Sequence, residues 1–339
     1  MARITRNSAY TYPRLRGAFT ALVTPFTATG EFDEAAYRRL VAWQVLAGID
    51  GLVPVGTTGE SPTLSTEERE ACIRIAVETV NSRPSGHRIP VIAGTGTNDT
   101  RATIEATRRA AELGADAALI VTPYYNRPDQ RMLEAHFRAI ADEGGLPIVV
   151  YNVPGRTGAN VEADTFLRLT DHPNVVGVKE ASANIEQIAV ICRDRPRDVA
   201  VLSGDDAATL ALMAMGGDGV ISVASNQVPG EMSALCHAWH AGDVAEAQRI
   251  HNRLLPLMRG NFQGAPNPVP VKAGMLAMGL LETDALRQPM LPLADGPRAR
   301  LTGILDELGL LGAATMTEMA ETDTLSMPET LSMAAGVAA

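Results

Sequence analysis

Short apolar runs alternate with longer stretches of helical periodicity along most of this 339-residue chain. Residues 17–25 are apolar and β-branched and close on a proline, which predicts a first strand. Asp33 is placed to cap a helix running to about Ala47, and 51–55 is a second strand that runs straight into Gly56-Thr57-Thr58-Gly59-Glu60. Ser65 with Glu68 three residues later has the form of a capping box, so a helix is expected from there to about Ser82. The alternation continues with strands at 89–93, 117–122, 148–152, 175–179, 199–203 and 219–223. Helices are expected between them at 99–113, 129–143, 162–169, from Ala183 onward, and at 205–215. Amphipathic segments without further strands follow at 243–259, 270–281 and 297–310.

Eight strand–helix units of this spacing predict an α/β fold, a closed (β/α)8 TIM barrel with a C-terminal helical subdomain. An open doubly wound sheet is the alternative, but Gly94-Thr95-Gly96 lacks the third glycine of a dinucleotide fingerprint and no phosphate-binding GxxxxGK[ST] occurs. The expected organisation is a leader at 1–15, the catalytic barrel at 16–241, a helical subdomain at 242–312 whose role is support and assembly, and a low-complexity tail at 313–339. With 46% hydrophobic residues the chain can bury a large core, and its net charge of −10 opposes broad contact with nucleic acid. The start has no apolar signal region, and no stretch of about 18 apolar residues occurs, so no membrane partner and a cytoplasmic location are expected. Cys72, Cys192 and Cys236 are far apart and are expected to be buried, reduced thiols. His237 and His240 lie one helical turn apart, without a third ligand in the sequence, and no metal site is assigned to them.

Chemistry gathers where the strands end. In a parallel barrel every strand finishes at the same mouth, so Thr57 and Thr58, Tyr124 and Tyr125, Tyr151, Lys179, and Gly204 with Asp205 and Asp206 are brought together. Lys179 is the organising residue, a cation closing the apolar run Val175-Val176-Gly177-Val178. A lysine one step past such a run is also simply where a strand meets water, and a lone tyrosine at a strand end is commonly packing. If the lysine is buried, its neutral form is favoured and the amine can attack a 2-oxo acid to form an imine. Tyr151, Thr57 and Tyr125 are then available to relay the proton that imine formation must carry to the departing oxygen. The glycine-flanked loop with Thr58 supplies N–H and O–H donors for a carboxylate, and Arg156 on the Val153-Pro154-Gly155-Arg156 turn can clamp a second one.

The segments GTTGESPTLSTEER at 56–69, TPYYNRP at 122–128, YNVPGRTG at 151–158, VVGVKEAS at 175–182, LSGDDA at 202–207 and GVISV at 219–223 closely resemble the dihydrodipicolinate synthase family. The resemblance runs from about Arg16 to Leu311 and places the chain in the superfamily that also holds N-acetylneuraminate lyase. It implies a pyruvate imine on Lys179, Tyr151 as proton shuttle, and Thr57 with Tyr125 completing a relay in which Tyr125 reaches into a neighbouring subunit. It further implies Thr58 on the pyruvate carboxylate, Arg156 on the carboxylate of aspartate semialdehyde, and Gly204 and Ile221 in substrate binding. Condensation of those two substrates without a metal or organic cofactor follows, in a homotetramer built as a dimer of dimers. Members inhibited by lysine carry histidines and a glutamate where this chain has Thr66, Arg69 and Ala102, so weak feedback is implied, although Tyr124 and Asn98 are kept. A pyruvate-dependent aldolase or sugar-acid dehydratase on the same barrel, a non-catalytic 2-oxo acid sensor and a metal-dependent aldolase are the alternatives. Arg156 argues against the first, the intact relay against the second, and the lack of a histidine at the mouth-forming strand ends against the third.

Overall fold

The computed structural model describes residues 14–83 and 88–312, so most of the leader and all of the 313–339 tail lie outside the described residues. Eight strands alternate with helices: β1 Gly17–Ala21, α1 Glu34–Leu46, β2 Gly51–Val53, α2 Thr66–Asn81, β3 Ile92–Gly94, α3 Thr100–Glu112, β4 Ala117–Val121 and α4 Gln130–Glu143 make the first half. The second half is β5 Ile148–Asn152, α5 Ala163–Leu169, β6 Val175–Glu180, α6 Ile185–Asp194, β7 Ala200–Ser203, α7 Thr209–Ala214, β8 Gly219–Ser222 and α8 Pro229–His240. All paired strands are parallel, in the order β2-β1-β8-β7-β6-β5-β4-β3. A parallel bridge between Leu52 and Val91, with the Gly94 N–H donating to Pro54 O at 2.9 Å, brings β2 and β3 together and closes the ring.

The strands read as unbroken apolar runs because both of their faces are buried. Phe19, Val53, Leu119, Val149, Leu202 and Ile221 fill the barrel, while Ala18, Leu52, Ile120, Val150, Val201 and Val220 pack outward under the helices. In β6 this alternation is broken by one extra residue. Ile148 pairs with Val175 but Val149 pairs with Gly177, so Val176 is a bulge between them. Val176 faces the interior and Val178 the helices, and the shifted frame leaves Tyr151 paired with Lys179 and Asn152 with Glu180.

Local sequence signals account for the helix starts. Asp33 accepts from the Ala36 N–H, Ser65 and Glu68 form the expected reciprocal box, and Asp99, Asp129 and Asn184 cap the helices that follow them. Each such cap contributes about 1 kcal/mol. Several boundaries differ from expectation for physical reasons. The first strand stops at Ala21, where Thr24 turns its hydroxyl onto Gly59 O. β3 begins at Ile92 because Pro90 has no N–H to give to a ladder. The predicted 205–215 helix is a 3-10 turn, Asp206–Ala208, followed by α7, since the Asp206 carboxylate is drawn inward onto the N–H groups of Val223 and Ala224. The periodicity does not pick out α8, which packs on β1 and on the following helix with Ser233 on its buried side and Ala234 exposed.

Among the described residues the last three helices are α9 Val244–Gly260, α10 Val269–Ala277 and α11 Asp295–Glu307. They pack on one another, and the connection from α9 to α10 passes over the barrel mouth. Cys72 and Cys236 are buried free thiols, but Cys192 is only half-buried, because α6 leaves part of that face to water. His237 hydrogen-bonds Asp50 and His240 the Asp218 carbonyl; among the described residues no group of three or more His, Cys, Asp or Glu is arranged for a metal.

Candidate active site

Lys179 is the last residue but one of β6, and Tyr151, the last but one of β5, lies directly beside it, both inside the barrel near its carboxyl end. They share a cavity of about 160 Å³ with Thr57, Thr58, Val153, Arg156, Ala181, Gly204, Asp205, Val223, Phe262 and Asn267. The lysine is 5% exposed, and its Nζ stands 4.3 Å from the centre of the Tyr151 ring. Burial pushes the Lys179 pKa down to about 7; the Asp206 carboxylate opposes that shift, and the Arg156 guanidinium adds to it. A neutral amine is therefore well populated near pH 7, where an ordinary lysine would have almost none. The rate of imine formation with a 2-oxo acid is expected to rise about tenfold per pH unit up to about 7 and then level. Borohydride trapping across that range measures it, and a flat profile below pH 7 would mean that the attacking amine does not titrate there.

The Tyr151 phenol is held above its ordinary pKa by burial, against the pull of Arg156 and a hydrogen bond shared with the Thr57 side chain. It stays protonated at neutral pH and can give or take a proton beside the amine. The outward neighbours of this pair form a polar lock. Glu180, on the helix side, accepts from Asn152 Nδ2 at 3.1 Å, Gln187 Nε2 at 3.2 Å and the Ser182 N–H at 2.7 Å, and Asn160 links Asn152 to Gln187. These bonds fix the ends of β5 and β6 relative to each other. Gly204 closes the other side, where a Cβ would lie 2.7 Å from the Ala181 Cβ and 3.2 Å from the Lys179 Cε, so a side chain here would crowd the lysine stem.

Thr57 and Thr58 are carried on a loop whose backbone is strained at both ends, with Val55 at φ 60° and Glu60 at φ 53°. Thr58 is buried and its hydroxyl oxygen accepts from Asn267 Nδ2 at 3.0 Å. Asn267 and Phe262 belong to the α9–α10 connection, so the helical segment forms part of the cavity wall as well as supporting the barrel. Sequence reasoning missed both. Lys272, a lone cation inside an apolar helix, was the available signal that this segment buries polar contacts.

Arg156 sits on the single turn Pro154–Thr157, with its side chain exposed at the rim of the cavity. A second hollow of about 230 Å³ adjoins it, bounded by Ser61, Pro62, Arg69, Thr97, Tyr124 and Thr157 and sharing Thr57, Val153 and Arg156 with the first. Two expected site residues do not line this cavity. Tyr125 is 90% exposed, at φ 73°, and is not among the residues that line the cavity of its own chain. Ile221 is 1% exposed within the barrel, and the residue that reaches the cavity from that part of the chain is Val223.

Residues 14–308 match the dihydrodipicolinate synthetase family. A 4-hydroxy-tetrahydrodipicolinate synthase of Nitratidesulfovibrio vulgaris strain Miyazaki F is 50% identical over 299 residues, covering 88% of this chain and 100% of that protein. The crystal structure of dihydrodipicolinate synthase from Thermotoga maritima superposes with a TM-score of 0.84 at 43% identity, covering 88% of this chain and 99% of that one. The chloride-inhibited dihydrodipicolinate synthase of Acinetobacter baumannii, complexed with pyruvate, superposes with a TM-score of 0.83 at 41% identity over 88% of this chain and 100% of that chain.

Proposed function

The chain belongs to the dihydrodipicolinate synthetase family, and from that premise we propose that it condenses pyruvate with L-aspartate 4-semialdehyde through a Schiff base on Lys179. The product is 4-hydroxy-tetrahydrodipicolinate, the compound named by its relatives and a precursor in lysine and diaminopimelate biosynthesis. The observation that carries the residue assignment is a buried, largely neutral lysine lying over a tyrosine that is itself hydrogen-bonded to a threonine.

Lys179 Nζ attacks the C2 carbonyl of pyruvate, and the oxygen leaves as water after receiving protons through Tyr151 and Thr57. The cationic imine nitrogen then accepts the electron pair left when C3 loses a proton, giving an enamine. That carbon attacks the aldehyde of the second substrate. The amino group of the second substrate adds to C2 of the imine, the bond to Lys179 breaks, and the ring closes with the amine regenerated. Thr58 and the neighbouring loop N–H groups hold the pyruvate carboxylate, Gly204 leaves room for the imine, and Arg156 receives the carboxylate of the semialdehyde.

Tyr125 is assigned to the site of a second copy, which fits its 90% exposure and its absence from the lining of the Lys179 cavity. A homotetramer formed as a dimer of dimers is part of this proposal. Among the described residues no helix is long and apolar enough to cross a membrane. A cytoplasmic setting is proposed on the biosynthetic role of the relatives.

Borohydride reduction in the presence of pyruvate should add mass to the peptide containing Lys179, and the enzyme should consume aspartate semialdehyde. Cleavage of 2-oxo-3-deoxy sugar acids with no condensation would instead assign the chain to the aldolase branch. Arg156→Ala is expected to raise the semialdehyde KM about 10- to 100-fold, the loss of a charge-assisted pair, while the pyruvate KM moves by less than about threefold. Equal effects on both constants would remove Arg156 from the second-substrate site.

A further inference from the structure

The α9–α10 connection and helix α10 lie far along the chain from the strand-end residues, yet each makes a contact with the loop that carries Thr57 and Thr58. Lys272 is wholly buried, and its ammonium donates to Glu60 Oε1 at 2.7 Å, Thr24 O at 2.9 Å and Ala285 O at 2.6 Å, so its three N–H groups each meet an acceptor. Glu60 Oε2 in turn accepts from the Arg287 N–H at 3.1 Å. This anchors the far end of the loop. Its near end is held by Asn267, 4% exposed, through the single bond from Nδ2 to Thr58 Oγ1.

We propose that Asn267 is a positioning residue for the substrate carboxylate, acting by fixing which way the Thr58 hydroxyl points. The proposal rests on the pyruvate site assigned above. A threonine hydroxyl has one hydrogen to give and lone pairs to receive. The Asn267 amide occupies the receiving side, and the O–H is left to be donated into the cavity that both residues line. A hydroxyl that accepts a hydrogen bond is also a stronger donor. Without the amide, the Thr58 O–H is free to rotate toward carbonyl acceptors of its own loop, and the carboxylate loses an oriented partner. The Lys272–Glu60 anchor does not depend on Asn267, so the loop keeps its path when that side chain is changed.

The test measures borohydride trapping at Lys179 against pyruvate concentration, alongside steady-state kinetics, for wild type, Asn267→Ala, Asn267→Asp and Asn267→Ser. The expected result is a roughly tenfold rise in half-saturating pyruvate for Asn267→Ala, with kcat and the semialdehyde KM within about threefold. Asn267→Asp keeps the volume but accepts from Thr58 and places a negative charge beside the carboxylate, so it should be worse than alanine. A role in packing alone predicts the reverse order. Asn267→Ser, which retains a donor, should recover part of the loss. In a Thr58→Val background Asn267→Ala should add less than about twofold, because the group it orients is gone. Unchanged half-saturation in every folded Asn267 variant, or fully multiplying effects with Thr58→Val, overturns the proposal while the Lys179 adduct stands. Failure of the wild type to trap pyruvate at Lys179 overturns both readings together.

Discussion

Lys179→Met should abolish turnover, by roughly 10⁴- to 10⁶-fold, and yet give a chain that is more stable than the wild type at neutral pH. The loss of activity follows from removing the only atom proposed to bond to pyruvate. The gain in stability follows from burial. The amine has a pKa of about 7 in the folded chain against an ordinary 10.5, so the unfolded state binds more protons throughout that interval. The folding penalty is thus fully present below about pH 7 and fades as the pH rises toward 10.5, wild-type stability increasing with pH across the window. At one pKa unit per 1.36 kcal/mol the upper figure is roughly 5 kcal/mol, from which relaxation around the site subtracts. Methionine has a similar length and no charge to desolvate. Denaturant unfolding at several pH values should show the Met variant ahead at pH 7 and the gap closing in alkali. A variant that is destabilised at pH 7, or one that still turns over, would remove Lys179 from its assigned place.

Tyr151→Phe is expected to lower kcat by about 10²- to 10³-fold, the usual range for a lost proton-transfer group. The substitution keeps the ring over which the amine lies, so the position of Lys179 is preserved and only the phenolic proton is removed. Burial holds that proton on at neutral pH, so the wild-type group is a donor across the working range. Thr57 loses its partner at the same time, and Thr57→Val added to Tyr151→Phe should therefore cost little more than Tyr151→Phe alone. Trapping by borohydride should slow in parallel with kcat, which places the defect in imine formation. If kcat falls by less than about threefold, the proton travels by another route.

Much of this was legible in the sequence because parallel strands deliver their ends to one side. Apolar runs bounded by turns located eight strands, and the residues at or just beyond their ends, Thr57, Thr58, Tyr151, Lys179 and Gly204, are found around one cavity. Asn267 was not legible, since it belongs to no strand end and meets Thr58 only through the path of the chain over the mouth. The GTTGE loop showed its glycines, but the reason for its glutamate lies in Lys272, more than two hundred positions away. Helix α8 escaped because Ser233 lies on its buried side while Ala234 is exposed and Ala238 and Trp239 are half-buried, so hydropathy does not follow burial along it. The inward direction of Lys179 was not legible either. Strict alternation from an outward Val175 and an inward Val176 places Lys179 on the helix side, and only the extra residue in β6 reverses it.

That extra residue divides β6 into two segments that need not agree. The entry half is held by its own bonds, Val175 N–H to His172 O and Ile148 N–H to Asn174 O, while the exit half is held by Asn152, Glu180 and Gln187. Val176 works between them as an expansion joint takes up movement between two spans. Changes in the length or packing of the α5–β6 connection can be absorbed at the joint without being passed on to the lysine. The aim of the amine is set locally, from the mouth of the barrel backward, and the chemistry is insulated from the side of the fold where the strand begins.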